Sequence, residues 1–117
     1  MPFITDKRII FITVPNMKVG EKIADILVKE KLAACVQLLP GLTSIYSWKG
    51  KVEKESEVLL IAKTRVELFD ALHKKVIENH PYEVPQIVAF PIELGYYKYL
   101  QWIDDSVDLP EHGAKRT

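Results

Sequence analysis

The sequence holds a single cysteine, Cys35, in the apolar run LAACVQLLP. One thiol closes no internal disulfide and builds no multi-thiolate zinc site, so a reducing, cytoplasmic compartment is expected. Charge of one sign is missing as well. Sixteen Lys and Arg balance 16 Asp and Glu, which leaves no global field to steer the chain towards nucleic acid or a membrane, and neither is expected as a partner. No apolar stretch approaches the roughly 20 residues of a membrane span. The start, MPFITDKRIIFITVP, breaks its short apolar run with Asp6, Lys7 and Arg8 and places no basic region ahead of a long apolar one. No linker or low-complexity tract divides the 117 residues. Residues 1–117 are therefore expected to form one domain, with a core from about 7 to 106 and a polar tail over 107–117.

What is present alternates between two periods. RIIFITV, ending at Val14 before Pro15, is a β-branched and aromatic run that predicts a buried strand, and Asn16 is placed to cap a helix over 17–31. AACVQLLPGLTSIYSW predicts a long strand kinked at Pro40 and Gly41, and Trp48-Lys49-Gly50-Lys51 a hairpin turn into a returning strand. A helix follows in RVELFDALHKKVIENH, then a strand from Gln86 to Pro91 and an aromatic-rich helix in GYYKYLQWIDDSV. The order βαββαβ plus a C-terminal helix is that of the α+β ferredoxin-like split βαβ sandwich.

In such a sandwich the helices cover one sheet face, and the other should be polar. Here both faces are apolar: Ile10, Ile12 and Val14 oppose Ile9 and Phe11; Leu59 and Ile61 oppose Val58, Leu60 and Ala62; Ile87 and Ala89 oppose Val88 and Phe90. An exposed apolar face of that size exceeds what a monomer tolerates, so a homo-oligomer that buries it is expected. The long second and third strands overrun the sheet and predict an arm able to pair with a neighbour.

The segments KLAACVQLLPGLTSIYSWKGKVEKESEVLLIAKT, HPYEVPQIVAFPI and YLQWI together resemble the divalent-cation tolerance family, CutA, from about Arg8 to Ile103. The resemblance implies a homotrimer with long β2–β3 hairpin arms joining neighbouring sheets. It also implies a link to metal tolerance, copper especially, and in animal members to acetylcholinesterase localisation, without a defined reaction. The copper ligands proposed in bacterial relatives fall here on Ile12, Asn79 and His80, and only His80 keeps a strong donor.

The segment HPYEVP admits two readings. In one, His80 and Glu83 bind a divalent metal, copper being the candidate, with Tyr82 beside them at a subunit boundary. In the other, Pro81 and Pro85 simply stiffen the approach to the last strand. Trp48, flanked by Lys49 and Lys51, is a binding candidate or a clamp on the hairpin, and Lys63 is placed to reach an acid such as Glu57 or Glu83. Cys35 is a further pocket candidate, with a buried, inert thiol as its alternative. His73 and His112 have no evident partners. No catalytic triad or phosphate-binding glycine loop is visible, so the protein is expected not to be an enzyme and to carry no certain cofactor. SEVLLIAK lacks the stacking aromatics of an RNA-recognition strand. The expectation is a trimeric, non-enzymatic protein of metal homeostasis or signalling, with a localisation scaffold free of specific metal binding as the alternative.

Overall fold

β-branched and aromatic residues crowd Lys7–Val14, and this segment forms β1 in the computed structural model, which describes residues 5–109. Asn16 then opens α1, Met17–Lys29, its side-chain oxygen accepting the Val19 N–H at 2.9 Å. Strands β2, Cys35–Trp48, and β3, Lys51–Arg65, are joined by Lys49 and Gly50 at φ 51° and 82°. Positive φ at both positions gives a turn whose twist matches the strands, and Gly50 adopts it without a Cβ penalty. A 3-10 turn, Val66–Leu68, leads into α2, Phe69–Asn79; β4, Ile87–Pro91, and α3, Tyr97–Ser106, follow.

The sheet order is β2-β3-β1-β4, with every pair antiparallel. This is the expected ferredoxin-like sandwich. Ile10, Ile12, Val14, Val58, Leu60 and Ala62 form the face under the helices, packed with Ile23, Leu27, Leu72 and Val76. Each large side chain so buried contributes about 1.5–3 kcal/mol. Gly20 sets the closeness of α1: a Cβ there would stand 3.1 Å from Leu38 and 3.2 Å from Leu60 and Val14.

The opposite face is as apolar as expected, and no helix lies over most of it. The register aligns Cys35, Lys63, Ile9 and Phe90 in one row and Gln37, Ile61, Phe11 and Val88 in the next. Phe90 is 45% exposed and Val88 41%, while the Phe11 and Phe90 rings pack at 5.0 Å. Helix α3 is anchored most firmly at its C-terminal end. Ile103 and Val107 pack on Ala34 and Leu68, and Asp104 pairs with Lys7 at 2.9 Å and Arg65 at 2.6 Å. Val107 is buried and the Asp108 N–H donates to the Lys31 carbonyl, so packing continues past the limit expected at 106. Residues 110–117, with His112, lie outside the described residues.

Opposite Leu59 and Glu57 the β2 register shifts between Leu39 and Leu42, at the Pro40-Gly41 kink. Pairing of β1 with β3 stops at Val14 and Val58. Beyond that point β2 and β3 bond only to each other and form a two-stranded arm, which stretches the molecule to 48 × 32 × 23 Å.

Candidate functional site

Helix α2 ends at His80, which takes extended geometry before Pro81. Its ring is held at both nitrogens. Nε2 donates to the Thr13 carbonyl at 2.7 Å, and Nδ1 accepts the Tyr82 N–H at 3.1 Å. A carbonyl only accepts and an amide N–H only donates, so the proton sits on Nε2. The ladder between β1 and β4 has ended at Ile12 and Ile87, and the imidazole supplies Thr13 with the donor a further ladder residue would have given.

Tyr82 packs its ring against His80 at 4.8 Å and donates its hydroxyl to Glu57 at 2.8 Å. Glu57 is only 6% exposed and also accepts from the Ser44 hydroxyl. Burial, and then the Glu57 carboxylate, push the Tyr82 phenol above its ordinary range. Buried Glu57 and half-buried Tyr82 and Ser44 line a pocket of about 670 Å³ at the foot of the arm. Its walls include Glu53, Glu55 and Glu83 together with the rings of Tyr46 and Trp48. The Tyr46 phenol is also pushed up, by desolvation first and then by Glu55, Glu53 and Glu57.

The expected candidates thus divide. Tyr82, Glu83 and Trp48 share the pocket, and His80 braces it from behind. Lys63 reaches neither Glu57 nor Glu83: it donates to the Gln37 side chain at 2.6 Å and stands 3.9 Å from the Cys35 sulfur. Cys35 is half-buried on the open sheet face beside the Tyr99 hydroxyl at 3.9 Å, and so is not a core thiol. Burial and Cys35 raise the Tyr99 phenol. Along β3, Lys63 lies about 20 Å from Glu57 at the strand rise. The sequence reading missed Glu53, Glu55, Ser44 and Tyr46, and named Glu57 only as a partner for Lys63. Their signal was the alternation of glutamates in VEKESE, which puts three carboxylates on one strand face.

The positions tied to copper do not make a ligand set within this chain. Ile12 is wholly buried under the helices, the Asn79 amide donates to the Lys75 carbonyl at 2.9 Å, and both His80 nitrogens are engaged. Among the described residues, no three His, Cys, Asp or Glu side chains stand close enough to hold one ion.

The sequence model of the family described as CutA1 divalent ion tolerance protein matches residues 8–106. The chain belongs to this family. It is 49% identical over 98 residues to the chloroplastic protein CutA of Arabidopsis thaliana, covering 84% of this chain and 54% of that one. Against the divalent-cation tolerance protein CutA of Thermus thermophilus it is 47% identical over 100 residues, covering 86% and 97%. The crystal structure of CutA1 from Oryza sativa superposes with a TM-score of 0.86 at 45% identity, over 90% of this chain and 96% of that one. The periplasmic divalent cation tolerance protein CutA from Archaeoglobus fulgidus gives 0.85 at 41% identity, over 87% and 99%. The chain spans about half the length of the plant and human relatives it matches.

These relatives overturn the cytoplasmic expectation. The CutA proteins of Arabidopsis and rice are chloroplastic, and that of Archaeoglobus is described as periplasmic. A lone thiol rules out an internal disulfide but does not distinguish one compartment from another. No described helix is long and apolar enough to cross a membrane.

Proposed function

We infer that the protein is a non-enzymatic homotrimer of divalent-cation tolerance that binds a cation in the pocket at the foot of each arm. The observation that carries the reading is that Glu53, Glu55 and Glu83 line one pocket together with the buried Glu57. Supporting a trimer, the open face exposes Val88 and Phe90 and aligns Phe11 and Ile61 beside Val88, an apolar patch that a neighbour's sheet would cover. Supporting a role without catalysis, the Ser44 hydroxyl is spent on Glu57, and the imidazole nearest the pocket turns both nitrogens to backbone groups.

Divalent copper remains the first ion to try, since it leads zinc by intrinsic preference at almost any donor set. Oxygen ligands supplied by Glu83 and its neighbours predict modest affinity. Sedimentation velocity should give three chain masses at micromolar concentration. Anaerobic calorimetry should show copper binding that Glu83→Gln weakens and that His80→Gln, which keeps a donor for Thr13, leaves unchanged. A mass of one chain, or no heat from any cation, would sink this reading.

A further inference from the structure

We propose that the ligand of this pocket is a linear aliphatic diamine or polyamine, held with its ammonium groups on the β3 glutamates and its methylenes on the β2 aromatics. The proposal rests on the cation-binding reading above and specifies the cation. Glu53, Glu55 and Glu57 alternate along β3, so successive carboxylates project from one face about 6.8 Å apart, two strand rises. One metal ion gathers oxygens at 2.0–2.6 Å and needs them nearly in contact, which agrees with the lack of any three-ligand group among the described residues. The same spacing suits two ammonium groups joined by four methylenes.

The facing strand supplies the second half of the site. Tyr46 stands opposite Glu53 and Ser44 opposite Glu55 across the ladder, with Trp48 next towards the tip. One wall is therefore anionic and the other aromatic, the combination that recognises organic cations. The aromatic wall already receives an ammonium group: Lys49 Nζ lies 5.6 Å from the centre of the Trp48 ring. No Lys, Arg or His is among the described residues that line the pocket, so the lining favours no phosphate; Lys49, over Trp48, and Lys51, opposite it, stand at the tip end of the site. Glu57 is occupied by Ser44 and Tyr82, which leaves Glu53 and Glu55, the latter beside the Tyr46 phenol, to take the two charges, with Glu83 across the pocket for a third.

The test is calorimetric titration of the full chain with spermidine in buffer containing EDTA at physiological salt, repeated on metal-free protein without EDTA in the presence of magnesium and with copper, and with two variants. Glu55→Gln should lower spermidine affinity at least about tenfold, the loss of a charge-assisted hydrogen bond. Trp48→Leu should lower it about two- to fivefold. Both positions are exposed on the arm, and unchanged sedimentation and circular dichroism will show the variants folded; should Trp48→Leu disturb the hairpin, Tyr46→Leu takes its place. Spermidine heat that survives Glu55→Gln undiminished overturns the proposal, as does equal competition by magnesium, which marks a diffuse ion atmosphere. Copper heat without spermidine heat overturns the amine and leaves the cation pocket standing; no heat from either takes both down.

Discussion

A carboxylate that keeps 6% of its surface exposed needs donors, and Glu57 has two, the Ser44 hydroxyl and the Tyr82 phenol. Tyr82→Phe leaves the acid with one. The expected cost is about 1–3 kcal/mol, measured as a lower denaturant midpoint at unchanged slope. The same phenol sets an alkaline limit. Its folded pKa lies above the ordinary value of about 10, so the folded state holds a proton that the unfolded state has released. Stability from this group is complete below about pH 10 and is lost as pH rises further. Urea melts from pH 8 to 11 should therefore fall less steeply for Tyr82→Phe than for the parent, with Tyr46 and Tyr99 supplying the remaining slope. Identical slopes would show that Tyr82 does not carry the effect. His80→Ala strips Thr13 of its donor and releases the Tyr82 amide, and should cost a similar 1–3 kcal/mol that His80→Gln partly restores. The chemistry at these residues was only half legible in the sequence. HPYEVP stands out by composition, but the partner of Glu57 on the far side lies 25 positions away and that of His80 lies 67 away. No local pattern encodes such pairings.

Elements whose cause is local were legible at the level of single residues. Asn16 caps α1, Lys49 and Gly50 turn the hairpin, and Pro40-Gly41 marks the register shift, each through properties of the residue itself. Boundaries set by tertiary contacts were not. The helix expected from Arg65 begins at Phe69 after a 3-10 turn, because Arg65 pairs with Lys7 as the last residue of β3 and its guanidinium holds Asp6, Glu67 and Asp104. The hydrogen bond to Glu67, foremost among these contacts, raises the guanidinium pKa further, and the same contact holds the Glu67 carboxyl below its usual range. The extent of α3 was read nearly to the residue, but its anchoring was hidden, since it depends on Asp104 bridging two strands. Asp104→Ala should detach this clamp. Hydrogen exchange across Tyr97–Ser106 is expected to accelerate while amides of β1 and β3 keep their protection. Unchanged exchange in α3 would mean that Ile103 and Val107 suffice to hold it.

At the scale of the molecule, the radius of gyration is 15.4 Å, against about 13 Å for a compact chain of 100 residues, and the arm accounts for the excess. The two-faced strands were visible as a pattern without any partner in view, but the sequence does not say what covers the second face. Ile61→Lys tests it. Ile61 lies outside the helix-packed core, so the variant should fold yet sediment as a single chain, whereas an unchanged trimer mass would remove that face from the interface. The arrangement of β3 also bears on the order of assembly. Its pairing with β2 closes through a two-residue turn, so those contacts are near in sequence and form on the microsecond scale of a hairpin. Its pairing with β1 joins Lys7 to Arg65 and must wait for the whole of α1 and the hairpin to be gathered in. The strand that becomes the arm is thus the template on which the older end of the chain condenses, and the hairpin is the first piece of the molecule able to exist before the rest has arrived.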